Sequence, residues 1–387
     1  MANRIVLNET SYHGPGAVSE LPGIIKSRGF KKAFVVTDAD LVRLGVAKKV
    51  TDLLDASGIA YEVYSDVKQN PSIENVQGGV DTFKACGAEC IVALGGGSAI
   101  DTAKGVGIII NNPEFYDVRS LEGVAPTKNR AVFTVAIPTT AGTAAEVTIN
   151  YVITDTQNKR KMVCVDPHDI PLVALNDPDM MSTMPPELTA ATGMDALTHA
   201  IEGYITRGAW LMTDMLHLTA IKLIAESLRA ACKNEPEGRL GMAYGQYIAG
   251  MGFSNVGLGL VHAMAHPLGA VYDMPHGCAN AILLPLIMEY NAEYTGEKYR
   301  DIAKAMGVEN TECMSPDEYR SAAVKAVRKL SQDLKIPQEL RYIINSEDIP
   351  FLAKTAYDDP CTPGNPRETS VSDISNLYLA LVSQPSV

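Results

Sequence analysis

The chain is 387 residues long, 46% hydrophobic and 20% charged, which excludes disorder, collagen or a coiled coil as its bulk and leaves room for two or three globular domains. Its 33 Lys and Arg face 45 Asp and Glu, and the net charge of −12 repels phosphate backbones and anionic lipid, so neither nucleic acid nor membrane is an expected partner. The longest apolar runs, such as 281–288, fall far short of a bilayer span, and the opening segment lacks a basic-then-apolar signal pattern, so a soluble cytoplasmic protein is expected. The seven cysteines form no Cys-x-x-Cys pair and read as small buried hydrophobes or free thiols in a reducing compartment.

In chain order, β-rich runs fall at 4–7, 33–37, 60–64, 90–94, 132–137 and 172–175, with helical patterns between them. The segment 41–57 places Leu41, Leu44, Val50, Leu53 and Leu54 near one face and is followed by Gly58, which predicts a single helix. Such alternation builds βαβ units: a mainly parallel sheet covered by helices on both faces, with ligands at the carboxyl ends of its strands. Runs at 151–154 and 162–165 flank the polar stretch 155–159 and predict a hairpin. After Asn176-Asp177-Pro178-Asp179 and Met184-Pro185-Pro186, Ala-rich helical stretches take over almost to the end. The boundary is placed near residue 183, with a cleft expected where the halves meet and fraying expected at 383–387.

Three strand ends in the first half carry ligand signals. The run 90–94 enters Gly95-Gly96-Gly97-Ser98 and then a helix from Ala99, a layout in which free N–H groups and the helix dipole face an anion. The plainer alternative is a tight turn with Ser98-x-x-Asp101 as a capping box. The run 132–137 enters Pro138-Thr139-Thr140-Ala141-Gly142-Thr143, whose hydroxyls suit a ribose or phosphate. Asp38 ends the run 33–37, where a carboxylate bonds the adenosine ribose hydroxyls and repels a 2′-phosphate, favouring NAD over NADP; the alternative is that Asp38 or Asp40 caps the next helix.

The second half carries the sharper signal. Asp195 and His199 stand four apart on one predicted helix, His262 and His266 are again four apart, and His276 follows. Oxygen and imidazole donors without a cysteine suit Fe²⁺ or Zn²⁺, and a site with four protein ligands keeps a position open for substrate. His13, His168 and His217 lack partners at such spacing and read as ordinary imidazoles. His262-Ala-Met-Ala-His266 has Ala where His-Glu-x-x-His needs its glutamate base, so hydrolysis by that route is excluded. The chain thus reads as α/β: an N-terminal Rossmann-like parallel-sheet dinucleotide-binding domain over 1–183, then an all-helical metal-binding and substrate domain over 184–387.

The Gly-Gly-Gly-Ser loop with Asp101 and Lys104, Pro138-Thr-Thr-Ala-Gly-Thr143, Gly193-x-Asp195-Ala-x-x-His199 and the His262/His266/His276 block together resemble the iron-dependent, group III alcohol dehydrogenases over nearly the whole chain. The resemblance implies that Asp195, His199, His262 and His276 hold the metal, and that His266 relays a proton near the reacting centre. It places Gly96, Gly97, Ser98, Thr139 and Thr140 on the cofactor phosphates and nicotinamide side and Asp38 on the adenosine ribose. Asn70 and Lys161 complete the cofactor site by the same analogy; their plainer readings are a turn asparagine before Pro71 and a solvated lysine. Phe253 and Cys361 are candidates to narrow the substrate pocket, against plain core packing. The departures are Ala99-Ile100 after the glycine loop and an unexpected carboxylate at Asp273.

The implied reaction is hydride transfer between NAD(H) and a small alcohol or aldehyde, the lactaldehyde/propane-1,2-diol pair foremost, in a homodimer or larger homo-oligomer. The alternatives are another short alcohol or diol (ethanol, butanol, 1,3-propanediol), a lyase or synthase using the same cofactor and metal, or a metal-binding protein without activity. No Lys or Arg lies in 262–280, which disfavours a highly anionic substrate.

Overall fold

The computed structural model describes residues 2–158, 160–337 and 344–382. The chain divides into two compact units, Met1–Met184 and Pro185–Val387. In the first, strands β1 (Thr10–His13), β2 (Lys32–Asp38), β3 (Ala60–Val67), β4 (Cys90–Gly95), β5 (Thr134–Pro138) and β8 (Val173–Asn176) form one sheet in the order β1-β8-β5-β4-β2-β3, while β6 (Asn150–Asp155) and β7 (Arg160–Val165) form a separate antiparallel hairpin. Every pairing in the larger sheet is parallel. The chain runs outward from β2 to β3 and then returns to β4 on the other side, so strand order reverses between β2 and β4. Ligands of open α/β sheets bind at such a reversal.

The inner strands β2, β4, β5 and β8 are almost wholly buried because both faces are covered, whereas the edge strands β1 and β3 are partly exposed and carry polar residues. Ala33, Val35, Cys90, Val92 and Leu94 pack with α1 (Leu21–Ser27) and α3 (Val46–Ala56). Phe34, Val36, Ile91 and Ala93 pack on the other side with α4 (Ile73–Cys86) and α5 (Gly97–Asn111). Two expectations fail locally. The run 4–7 is not a strand: β1 begins at Thr10, opposite Val173, and two residues back along the partner lies Pro171, which has no N–H to extend the ladder. The helix expected over 41–57 is broken into α2 (Ala39–Arg43) and α3 by Gly45, whose φ of 75° ends one helix and starts the next; Leu44, counted in the apolar stripe, is exposed. Lys159 in the expected hairpin turn and the expected fraying at 383–387 lie outside the described residues.

The second unit is helical in its described residues: α6 (Pro186–Ile205), α7 (Leu211–Cys232), α8 (Pro236–Val256), α9 (Leu260–Tyr272), α10 (His276–Asn291), α11 (Lys298–Ala305), α12 (Pro316–Asp333), α13 (Ile349–Tyr357) and α14 (Val371–Val382). Small residues let these helices approach closely: a methyl on Gly193 would come within 2.2 Å of Leu228, and one on Gly241 within 2.0 Å of Ser227. Helix α6 is buried on nearly all sides from Thr189 to Ile205, so Asp195, His199 and Glu202 on it must find polar partners inside the bundle. No single helix among the described residues is long and apolar enough to cross a membrane.

Candidate active site

At the carboxyl edge of the sheet, Gly95 ends β4 at φ 153°, and a methyl there would stand 2.6 Å from the Ala99 Cβ, so only glycine fits. Gly96 is the N-cap of α5 and brings no side chain. The first-turn N–H groups of this 15-residue helix have no carbonyl within the helix to bond, which is the layout that receives an anion. The alternative Ser98/Asp101 capping box does not form: Ser98 lies inside the helix, and Asp101 accepts the Val152 N–H of the hairpin at 3.0 Å.

The threonine loop lies against this turn. Gly95 is in register with Pro138, and the Thr139 N–H donates to the Gly95 carbonyl at 3.0 Å. Thr140 fills the space a methyl on Gly96 would need, with its Oγ1 3.2 Å from that position. Asp38, at the end of neighbouring β2, caps α2 by accepting the Leu41 N–H through Oδ1 at 2.8 Å, while its Oδ2 points toward Gly95. Asn70 sits at φ 54° in the loop after β3, a conformation asparagine tolerates. Lys161 stands on β7. Lys104, fully buried, donates to the Thr148 carbonyl and hydroxyl and to the Asn150 carbonyl, and so holds the segment that enters β6. Burial raises the Asp101 pKa to about 6, opposed by Lys104, the Val152 N–H and Lys161.

In the second unit, donor atoms of Asp195 (α6), His262 (α9) and His276 (α10) all lie within 4.8 Å of one another. Nε2 of both His262 and His276 is 3.8 Å from Asp195 Oδ1. His199 stands beside this group: its Nδ1 is 3.9 Å from Asp195 Oδ2, and its ring lies 4.4 Å from that of His262 and stacks on Phe253 at 4.2 Å. Burial lowers the His262 pKa to about 4, with Asp195 opposing, so the imidazole is neutral and its nitrogen free to ligate at ordinary pH.

The donor set fits a divalent cation, and Asn280 shows why. Four residues after His276 on α10, its Nδ2 lies 2.6 Å from Asp195 Oδ1, 3.1 Å from His262 Nε2 and 3.2 Å from His276 Nε2. Three electron-rich atoms thus converge on the positive end of an amide, the polarity a cation needs. The other end, the buried Asn280 Oδ1, has no hydrogen-bond partner among the described residues.

His266 is held apart from that convergence. It stacks on His276 at 5.4 Å, and its Nδ1–H donates to Asp359 Oδ2 at 2.7 Å. Burial works against charge on Asp359, yet His266, Cys361 and the Cys361 N–H outweigh it and hold the carboxyl below its ordinary pKa. Cys361 lies in the same group, its thiol pushed well up by burial and then by Asp359. Asp273 caps α9 at φ 51° with its side chain exposed. Glu202, Asn280 and Asp359 escaped the sequence reading. Glu202 lies one helical face-repeat beyond Asp195 and Asn280 one turn beyond His276, faint signals at best, and nothing local marks Asp359.

Comparison with known proteins fits this geometry. Residues 8–178 match the family described as iron-containing alcohol dehydrogenase, and residues 189–382 match the C-terminal part of the Fe-containing alcohol dehydrogenase family. The chain belongs to the iron-containing alcohol dehydrogenase family and is an NAD-dependent, metal-containing oxidoreductase. Within that family, the stretches 8–10, 165–170 and 195–210 resemble lactaldehyde reductase. The lactaldehyde reductase of Escherichia coli (strain K12) is 60% identical over 379 residues, 98% of this chain and 99% of that protein. A 1,3-propanediol dehydrogenase of Citrobacter freundii is 42% identical over 373 residues, 95% of this chain and 96% of the relative. A crystal structure of 1,3-propanediol oxidoreductase superposes with a TM-score of 0.95 at 40% identity, covering 98% of this chain and all of the other.

Proposed function

We propose that this enzyme interconverts lactaldehyde and propane-1,2-diol with NAD(H), and that Asp195, His199, His262 and His276 hold its metal, iron or zinc. The observation that carries the ligand assignment is the convergence of Asp195, His262 and His276 on the Asn280 amide; the likeness to lactaldehyde reductase carries the substrate. A bound divalent ion supplies Lewis acidity, which acidifies an alcohol hydroxyl and polarises a carbonyl in the reverse direction.

The protein's own groups do the rest. Gly96, Gly97 and Ser98 offer backbone N–H groups to the cofactor phosphates, Thr139 and Thr140 bind beside them, Asp38 takes the adenosine ribose, and Asn70 and Lys161 complete the cofactor site. His266, oriented by Asp359, moves the proton of the substrate hydroxyl. Phe253 and Cys361 limit substrate size. This reading divides the work between residues 1–183, which bind the dinucleotide, and 184–387, which bind metal and substrate. The working form is a cytoplasmic homodimer or larger homo-oligomer.

NADH oxidation is to be followed with lactaldehyde, glycolaldehyde and butanal, using protein loaded with Fe²⁺ or Zn²⁺ in turn. Highest kcat/KM with lactaldehyde is expected. A preference for butanal moves the assignment to a simple alcohol, and a flat NADH fluorescence titration removes the cofactor site.

A further inference from the structure

The structure assigns to Glu202 the positioning of His262, an inference that rests on the metal reading above. The N-cap of helix α9 is Gly259, which brings no side chain to cap it, so the first N–H groups of the helix need acceptors from elsewhere. Glu202 of α6 supplies them. Its Oε1 accepts the Val261 N–H at 2.6 Å, and its Oε2 accepts the His262 N–H at 3.3 Å and the His262 Nδ1–H at 2.6 Å. A methyl on Gly259 would stand 3.0 Å from Oε1, so the bare glycine makes room for the carboxylate.

Both Glu202 oxygens already accept a backbone N–H, so the group meets His262 as an acceptor: Nδ1 carries the ring proton and Nε2 presents its lone pair. That Nε2 is the atom facing Asp195 and Asn280. One buried carboxylate therefore fixes the tautomer, the ring orientation and the start of the helix that carries the ligand. It acts through His262.

Glu202→Gln tests this, because glutamine offers one acceptor and one donor group where three N–H groups converge. With its amide NH₂ toward Nδ1, the imidazole takes the other tautomer and loses the lone pair that ligates; turned round, the NH₂ opposes the Val261 N–H. Metal-free protein is titrated with Co²⁺ and Zn²⁺ against a competing chelator, and the visible Co²⁺ bands and the melting of the metal-free form are recorded. Glu202→Gln is expected to bind both metals about 10–100-fold more weakly and to alter the Co²⁺ bands, with part of the affinity recovered in Glu202→Asp. A purely structural Glu202 would lower melting but leave metal affinity and bands at wild-type values, and that result overturns the inference.

His262→Ala separates the two levels. Metal lost there but retained in Glu202→Gln overturns the role of Glu202 alone, whereas metal retained in His262→Ala overturns the ligand assignment beneath it. Imidazole ¹⁵N spectra of the Zn²⁺-loaded wild type need no variant to fold: His262 is expected protonated at Nδ1 and metal-bound at Nε2, and the reverse assignment overturns the proposal.

Discussion

The carboxyl edge of the sheet and the interior of the helical unit are both suited to charged ligands, by opposite means. At the sheet edge the donors are backbone N–H groups at a helix start, and the sequence contributes mainly by removing side chains at Gly95, Gly96 and Gly97. In the helical unit the donors are side chains on three separate helices, buried so deeply that the His262 pKa falls to about 4. The first site depends on backbone shape and does not titrate; the second depends on side chains whose protonation is set by burial. Substitutions should therefore fail differently in the two places.

The largest effect is expected in the helical unit. His262→Ala should abolish turnover and metal retention together, as measured by activity and metal content of the purified protein. Unchanged metal content would break the comparison at its base, because a side-chain site cannot lose a central ligand silently.

Burial of imidazole also has a stability consequence away from the ligands. His217 on α7 is wedged between Gly203 and Gly252, where a methyl on either glycine would come within 2.3 Å of its Nε2, and neither ring nitrogen has a hydrogen-bond partner among the described residues. Burial, then Lys298 and His199, lower its pKa from 6.5 to about 3. The folded pKa lies below the unfolded one, so as pH falls below 6.5 the unfolded chain takes the proton first; stability present above that value drains away toward pH 3, by up to about 5 kcal/mol. His217→Leu removes this titration without removing a described hydrogen bond, so urea midpoints at pH 7 and pH 4.5 should differ less in the variant than in the wild type. Equal differences would show that His217 does not sense acid.

The sheet edge should respond to shape. Gly95→Ala places a side chain at φ 153° against Ala99 and should cost about 1–3 kcal/mol while weakening NADH binding. Gly58→Ala is the control: its φ is also positive at 65°, but it stands in open space and should lower stability without changing NADH affinity. NADH affinity unchanged in both variants would remove the glycine loop from the cofactor site.

The same contrast explains what the sequence discloses. Apolar runs at 33–37 and 90–94 mark β2 and β4 because strands buried on both faces leave little room for other residues, while the edge strand β3 shows through the aromatic and β-branched Tyr61, Val63 and Tyr64. The run 4–7 misleads because pairing depends on the partner, and Pro171 ends the ladder. Side-chain chemistry leaves a local trace when it repeats on one helix, as His262 and His266 do on α9. It leaves none when the partner comes from elsewhere: Asp359 reaches His266 across 93 positions, and Glu202 reaches His262 across 60. Backbone sites are harder still, since a glycine turn that binds phosphate and one that merely turns read alike; the capping box suggested by Ser98 and Asp101 is absent because Asp101 is engaged by the hairpin.

Asp38 gives the smallest effect and the finest test, because there a side chain serves a backbone site. Its Oδ1 caps α2 through the Leu41 N–H, and its charge at the end of β2 would repel the 2′-phosphate of NADP. The two roles separate chemically. Asparagine caps a helix as well as aspartate but carries no charge, whereas glycine keeps neither the side-chain bond nor the charge. Asp38→Asn should therefore raise the NADP to NAD ratio of kcat/KM at unchanged melting temperature. Asp38→Gly should raise the same ratio and lose up to a few tenths of a kcal/mol of stability besides. A ratio that moves only in the glycine variant would trace the discrimination to space rather than charge, and one that moves in neither would leave Asp38 as a helix cap alone.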